Sequence, residues 1–101
     1  MLQSNECLIS GSSDKTIKCW DINSGQCVNT IQAHNDSVVS LEILSAEQVI
    51  SGSYGEIKIW NIRTSELMNT LMTPNWVRCI ISYLNDRIIS GGGDNTIKIW
   101  V

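Results

Sequence analysis

Three features that mark common functional classes are missing from this sequence of 101 residues. Basic residues are not in excess, because the formal net charge at pH 7 is −3, which argues against non-specific binding to nucleic acid or to an anionic membrane. No apolar run approaches the roughly 20 residues of a membrane-spanning helix. Residues 1–5 contain neither a cationic region nor an apolar stretch. We therefore expect no signal peptide and a cytoplasmic or nuclear location.

The sequence also lacks the usual patterns of metal, redox and phosphate sites. Its four cysteines form no C-x-x-C pair and its single histidine cannot complete a zinc-finger set, so Cys19 and Cys79 are predicted to be small core residues. Its ten acidic residues do not have the spacing of a calcium loop. The glycines at 91–93 precede a predicted strand rather than a helix, which favours a tight turn over a phosphate loop. We expect no metal and no cofactor.

Two short phrases are each present three times. One ends in tryptophan and occupies residues 16–20, 56–60 and 96–100. The other begins Ile-Ser-Gly and occupies residues 9–12, 50–53 and 89–92. The tryptophans Trp20, Trp60 and Trp100 are spaced 40 residues apart. A fixed period of about 40 residues indicates a repeat architecture.

Side chains around each of these tryptophans alternate with a period of two, not 3.6. Ile57 and Ile59 fall on one face, whereas Lys58 and Trp60 fall on the other. β-branched residues dominate, and the only proline, Pro74, lies outside these runs. The pattern predicts an all-β fold of about ten short antiparallel strands and no helix.

The predicted strands divide into three units, in which the four strands of a complete unit are called a to d. The first unit covers about residues 1–31 and begins at strand b. The second covers about 32–71 and has all four strands, and the third covers about 72–101 and has strands a to c. No linker interrupts residues 1–101, so we expect a single incomplete arc of about two and a half units.

With these motifs established, the sequence resembles the WD40-repeat family. Residues 10–21 read Ser-Gly-Ser-x-Asp-x-Thr-Ile-Lys-x-Trp-Asp, and three copies in register cover nearly the whole chain. The resemblance implies a β-propeller, in which four-stranded antiparallel blades stand around a central channel. It also implies a non-catalytic scaffold that presents a surface to a protein or peptide partner.

In this family a serine on strand b, a histidine before strand a and an aspartate in the b–c turn form a hydrogen-bonded chain with the tryptophan. By resemblance, the structural residues are Ser10, Ser51, Ser90, His34, Asp14, Asp94, Trp20, Trp60 and Trp100. No unit holds a full set. The first unit has no histidine, the second has Gly55 near the aspartate position, and the third has Pro74 where the histidine would be. We therefore expect weaker blade ends than is usual in the family.

Trp76 is the one tryptophan outside the 40-residue register. Similar propellers, such as G-protein β subunits, bind partners on a top face built from the start of strand a and the b–c turn. The matching positions are Trp76, Arg78, Tyr54, Ser37, Val39 and Ser13. Tryptophan, tyrosine and arginine dominate interface energetics, which favours partner binding. The alternative is that Trp76 fills the space left by the missing histidine.

Two other functions are compatible with some of these residues. Ser10, Asp14 and His34 are the residue types of a hydrolase triad, but the histidine lies in another unit and no Gly-x-Ser-x-Gly elbow is present. A substrate-receptor part of a ubiquitin-ligase complex, of the F-box/WD kind, is a narrower form of the scaffold hypothesis, although no F-box-like helical segment is present.

The predicted arc is too short to close, since propellers have at least about four blades. The remaining blades of a longer propeller, a partner protein or further copies of this chain could complete it. A simple strand count disfavours self-assembly, because an end of strands a to c would meet a start of strands b to d. The sequence therefore favours the remaining blades of a longer propeller.

Overall fold

The structure is a computed structural model that describes residues 2–4, 7–45, 47–83, 87–93 and 96–100. Within these residues the chain forms β-strands joined by turns, with no helix. The strands are β1 (Leu2–Ser4), β2 (Cys7–Gly11), β3 (Thr16–Asp21), β4 (Cys27–Gln32), β5 (Ser40–Ile43), β6 (Gln48–Asn61), β7 (Glu66–Tyr83), β8 (Arg87–Gly92) and β9 (Ile97–Trp100). All strand pairings are antiparallel. The prediction of an all-β fold is confirmed.

The first unit is a four-stranded sheet with the order β1-β2-β3-β4. The expectation that this unit begins at strand b is wrong, because β1 pairs with β2 from Leu2↔Ile9 to Ser4↔Cys7. A strand of three residues is too short to show the alternation by which strands are detected in a sequence. Unit 1 therefore has a strand a, although a short one.

The long strand β6 supplies two strands of the second unit. The indole nitrogen of Trp60 lies 2.9 Å from the Ser51 hydroxyl, whereas nine residues of straight strand would separate them by about 30 Å. The chain therefore doubles back within β6. Gly55 is the residue with a positive φ, +79°, that allows this turn. Strand β5 pairs with the first half of β6 and β7 pairs with the second half.

The strand β7 passes from the second unit to the third. Its residues 66–72 and Trp76 pair with β6, and its residues 77–83 pair with β8. Strand β9 then pairs with β8 and is the last strand in the order β5-β6-β7-β8-β9. Unit 2 accordingly consists of β5, β6 and the first part of β7, and unit 3 consists of the second part of β7, β8 and β9. The described residues thus form an open arc.

Two apolar clusters lie between neighbouring units. The cluster between units 1 and 2 contains Ile9, Ile17, Cys19, Ile31, Ala33, Val38, Val49, Trp60 and Ile62, with Leu41 packed against it. The cluster between units 2 and 3 contains Ile50, Ile57, Val77, Ile80 and Ile88, with Leu44, Ile59, Leu71 and Trp100 packed against it. The alternation seen in the sequence explains both clusters. Successive side chains of a strand point to opposite faces, so unit 2 contributes one set of side chains to each cluster.

Cysteine burial follows this arrangement. Cys19 is buried in the first cluster, whereas Cys79 is exposed. The prediction that both are core residues is therefore wrong for Cys79. Its sulfur lies on the side of unit 3 that no described unit covers, near Gly91.

Candidate functional site

A continuous chain of hydrogen bonds occupies the interior of unit 2. The indole N–H of Trp60 donates to the Ser51 hydroxyl at 2.9 Å. The Ser51 oxygen lies 2.7 Å from Nε2 of His34, and Nδ1 of His34 lies 2.5 Å from a carboxylate oxygen of Glu56. His34 and Ser51 are buried. Four side chains from the loop before β5 and from both halves of β6 are thereby joined.

Glu56 is the member that the sequence analysis missed. The b–c turn of unit 2 is one residue shorter than expected, and Gly55 stands near the usual aspartate position. Glu56 follows it at the first position of the tryptophan phrase, where the other units have Thr16 and Thr96. The longer glutamate side chain reaches His34 from there, so the expectation that the set in unit 2 is incomplete is wrong. The sequence signal that could have identified Glu56 is that a charged residue occupies a position where the other two units have threonine.

The position of each proton in this hydrogen-bond network follows from which groups can only donate. An indole N–H only donates, so the Ser51 oxygen accepts from Trp60 and its own hydrogen points to Nε2 of His34. The remaining proton of the neutral imidazole is then on Nδ1 and donates to Glu56. Burial lowers the pKa of His34, opposed by the hydrogen bond and negative charge of Glu56 and supported by the positive charge of Lys58. His34 is therefore neutral at pH 7.

Lys58 holds the Glu56 carboxylate from the other side. Its ammonium lies 3.4 Å from Glu56 Oε2 and donates to the carbonyl oxygen of Ala33 at 3.0 Å. Ala33 precedes His34 in the segment that connects units 1 and 2. The lysine thus ties this connecting segment to β6.

Units 1 and 3 keep only part of this network among the described residues. Trp20 donates to Ser10 at 2.9 Å and Trp100 donates to Ser90 at 3.1 Å. The Asp14 carboxylate accepts from the backbone and the hydroxyl of Thr16. Hydrogen bonds from the side chains of Thr16 and Ser12 lower the pKa of Asp14. Asp94 lies outside the described residues.

The hydrolase residues are not brought together. Ser10 accepts from Trp20, Asp14 contacts Thr16, and His34 contacts Ser51 and Glu56. Serine, histidine and glutamate in unit 2 do stand in the order of a catalytic relay. However, the Ser51 side chain is 0% exposed and its oxygen already accepts the Trp60 indole, so a substrate carbonyl has no route to it.

The predicted top-face residues Tyr54 and Trp76 lie side by side. Tyr54 is in the turn of β6 and pairs in register with Trp76 of β7. Their ring centroids are 5.3 Å apart and the ring planes meet at 69°, an edge-to-face contact. Tyr54 is 52% exposed and Trp76 is half-buried. A b–c turn of one unit and the start of strand a of the next therefore form one aromatic surface.

The other predicted top-face residues surround this pair or occupy the equivalent place one unit earlier. Arg78 is exposed, with its Nε near Gly93. Val39 is exposed, and the half-buried Ser37 accepts the Ser53 hydroxyl at its carbonyl oxygen. Ser13 is exposed in the turn of unit 1. The backbone of that turn accepts a hydrogen bond from Val38 at the start of unit 2.

A cleft remains beside Trp76, at the position where the third unit lacks its histidine. It is lined by Thr73, Pro74, Asn75, Trp76, Val77, Ser90, Gly92, Thr96 and Lys98. It encloses about 200 Å³, including the solvent at its mouth. Trp76 belongs to neither apolar cluster.

Two negative findings concern the described part of the chain. Residues 2–4, 7–45, 47–83, 87–93 and 96–100 contain no group of three or more His, Cys, Asp or Glu side chains that could hold a metal ion. The same residues contain no helix that could cross a membrane.

Antiparallel sheets that stack face to face, each with an indole bonded to a strand-b serine, define an arc of β-propeller blades. The family profile described as "WD domain, G-beta repeat" matches residues 2–21, 25–61 and 65–101. The chain therefore belongs to the WD40-repeat family, whose propellers generally bind protein partners.

Curated relatives match short parts of the chain. It is 38% identical over 42 residues to Cell division control protein 4 of Saccharomyces cerevisiae, a match that covers 42% of this chain and 5% of that protein. It is 52% identical over 31 residues to Nuclear distribution protein PAC1 of Arthroderma otae, covering 31% of this chain and 7% of that protein. The chain thus spans a small part of these relatives.

Solved structures match over nearly its full length. The WD40 β-propeller domain of Doa1 superimposes with a TM-score of 0.90 at 24% identity, covering 100% of this chain and 35% of that one. The computationally designed Ika4 protein gives a TM-score of 0.86 at 29% identity, covering 98% of this chain and 62% of that one. The WD40-type fold is confirmed.

Proposed function

We propose that this chain is a non-catalytic WD40 scaffold that binds a protein or peptide partner through its top face. The top face consists of Trp76, Arg78, Tyr54, Ser37, Val39 and Ser13. The observation that carries the proposal is the edge-to-face pair of Tyr54 and Trp76, because two large amphipathic rings stay accessible at the junction of two units. Exposed aromatic residues of this kind supply much of the binding energy of interfaces.

Two further observations support the proposal. Arg78, two residues after Trp76, adds an exposed guanidinium that can donate to a partner's carboxylate or carbonyl groups. Asn75 caps the start of this segment by accepting the backbone N–H of Trp76, while Gly93 donates to the Trp76 carbonyl at 2.9 Å. The backbone under the ring is therefore held in place, which lowers the entropy cost of binding.

The first test is selection of peptides from a random library displayed on phage, using the folded chain as bait. The selected peptide is then titrated against Trp76→Ala. We expect the dissociation constant to rise at least about tenfold, since truncation of an aromatic anchor costs more than about 1.4 kcal/mol. The melting temperature should change little, because Trp76 lies outside both apolar clusters.

The matched control is Met68→Ala, which removes another exposed large side chain from β7. It should leave peptide affinity unchanged. A large loss of melting temperature in Trp76→Ala with unchanged affinity would assign Trp76 to the packing of unit 3 and reject the top-face proposal.

The narrower hypotheses remain predictions. These are that the remaining blades of a longer propeller complete the ring, that the chain is the substrate-receptor part of a ubiquitin-ligase complex, and that it is cytoplasmic or nuclear. The buried Ser51 hydroxyl favours the scaffold over a hydrolase. His34→Ala separates these two functions, since the scaffold predicts altered stability, whereas a hydrolase predicts lost turnover with stability intact.

A further inference from the structure

Two hydrogen-bond donors of the top face are not used within the described part of the chain. They are the phenolic O–H of Tyr54 and the indole N–H of Trp76, and neither group bonds another described residue. We call this pair of side chains the aromatic ridge. It lies where β6 and β7 pair, at the junction of units 2 and 3, so its exposure is set by an interface inside the chain.

The oxygen atoms beside the ridge are, by contrast, already bonded. The acceptors of residues 75 and 76 are the carbonyl and side-chain oxygens of Asn75 and the carbonyl oxygen of Trp76. They accept, in that order, from the Thr73 hydroxyl at 3.0 Å, the Trp76 backbone N–H at 2.8 Å and the Gly93 N–H at 2.9 Å. The ridge therefore offers donors to a ligand and has little capacity left to accept.

The cleft beside Trp76 adds a further donor. Ser90 lies on its wall and is 4% exposed. The Ser90 oxygen accepts the Trp100 indole N–H at 3.1 Å, and no other described group accepts its own hydrogen. In unit 2 the equivalent hydrogen of Ser51 bonds His34. An acceptor atom that enters this cleft therefore meets a hydroxyl donor.

The charges present favour a neutral ligand. Arg78 is exposed two residues after Trp76, so a cation placed against the two rings would meet a like charge. The net charge of −3 on the chain disfavours a strongly acidic ligand. The surface thus fits a ligand that is neutral, partly apolar and rich in acceptors.

We propose that the aromatic ridge binds a proline-rich segment of a partner protein in the polyproline II conformation. This inference rests on the proposed function, because it states which kind of partner the top face binds. Each proline has a carbonyl oxygen but no backbone N–H, so the segment brings acceptors to the ridge and no proline donor that needs one. Its rings are apolar and dock on aromatic side chains, and its preformed backbone lowers the entropy cost of binding.

Decaproline with blocked ends is the probe, and it is titrated into the folded chain by isothermal titration calorimetry. We expect a dissociation constant below about 1 mM. A blocked peptide of the same length with alternating glycine and serine has carbonyl groups, but it has an N–H at every residue and no apolar ring. A third peptide, with alternating aspartate and serine, brings carboxylates to Arg78. Neither of these two peptides should bind detectably.

Tyr54→Phe and Trp76→Phe test the role of the donors, because each variant keeps an aromatic ring and loses one polar hydrogen. Each should raise the dissociation constant for decaproline by roughly 3- to 10-fold, the factor that corresponds to one hydrogen bond. Circular dichroism checks that both variants fold.

Tyr83→Phe is the matched control. It removes the same phenolic hydroxyl from the last residue of β7, roughly 20 Å of strand beyond Trp76. This variant should bind decaproline as the wild-type chain does.

The outcomes separate this inference from the proposed function. Absence of decaproline binding would overturn the inference, as would binding that is unchanged in both Tyr54→Phe and Trp76→Phe. Tighter binding of the aspartate–serine peptide than of decaproline would assign the site to an acidic partner instead. If peptides selected on phage contain no proline and still lose affinity in Trp76→Ala, the top-face proposal stands and the proline-rich partner is rejected.

Discussion

At the scale of single residues, Glu56 is the feature that distinguishes unit 2 from the other units. It accepts the Nδ1 proton of His34, which itself accepts from Ser51, which accepts from Trp60. Among the described residues, no buried side-chain nitrogen or oxygen lacks a hydrogen-bond partner. Fully satisfied buried networks favour one packing over its alternatives, so this chain of four residues specifies how the loop before β5 meets β6.

Glu56→Ala should lower the free energy of unfolding by about 1–3 kcal/mol, because the buried Nδ1–H of His34 loses its acceptor. Glu56→Gln keeps an acceptor oxygen and should lower the free energy of unfolding by less. The loss is measured by urea unfolding followed by tryptophan fluorescence.

Asp14→Ala provides the comparison in unit 1, where the carboxylate is exposed and bonds Thr16 rather than a histidine. Asp14→Ala should lower the free energy of unfolding by less than Glu56→Ala does. Equal losses for Asp14→Ala and Glu56→Ala would contradict the special role of the His34 network.

At the scale of strands, the repeated glycine of each Ile-Ser-Gly phrase sets how closely the next unit can approach. A Cβ at Gly11 would lie 2.6 Å from Val38, and one at Gly52 would lie 2.8 Å from Val77 and 2.2 Å from the Ser40 hydroxyl. Each valine opens the following unit. The glycine is required because a side chain would push these two units apart.

Gly52→Ala should destabilise the chain by about 1–3 kcal/mol, the usual cost of overpacking a core. Gly91→Ala is the matched control, because it changes the equivalent position in unit 3. A Cβ there would meet only the Cys79 sulfur, at 2.9 Å, and that side chain is exposed and can rotate. Thermal unfolding measures the melting temperature of both variants. A larger decrease for Gly91→Ala than for Gly52→Ala would contradict this role of the glycine.

At the scale of the whole molecule, unit 2 is covered on both faces and each outer unit on one. Both apolar clusters include residues of β6, and His34 is buried beside them. Unfolding of the arc therefore exposes His34, which couples its protonation to global stability.

The free energy of unfolding should fall as the pH is lowered from 7 to 5. Burial lowers the pKa of His34 in the folded chain below the value of about 6.5 expected when it is unfolded. The unfolded state then binds the proton more readily, and the stability present above pH 6.5 is lost as the pH falls towards the folded pKa, with a slope of at most about 1.4 kcal/mol per pH unit.

Urea unfolding at a series of pH values measures this slope, and His34→Gln should remove it from this range. The lowered pKa of Asp14 acts in a separate window below about pH 4. A slope that is unchanged in His34→Gln would show that another group is responsible.

Much of the fold follows from local pattern. The period-two alternation at residues 56–60 and the spacing of the three tryptophans predict strands and a repeat of about 40 residues, because these signals depend only on neighbouring side chains. Strand β1 and the fused strands β6 and β7 were not predicted. Their limits depend on backbone pairing with distant segments rather than on residue type.

Part of the candidate site was likewise predictable from the sequence and part was not. Tyr54 and Trp76 were both chosen from the sequence, but their ring contact arises from a register shift between β6 and β7. Glu56 was not predicted, because the sequence does not show that its longer side chain reaches His34 from a turn that is one residue shorter. That contact is visible only in the folded structure.

The sequence by itself determined the family, the strand character of each segment and the side chains that face neighbouring sheets, since alternation along an extended chain places them there. Only the tertiary structure decided which of those apolar side chains are covered. Ile17 and Ile97 occupy the same place in the repeat, yet one is buried and the other lies open, because burial is a property of the neighbouring sheet and not of the residue.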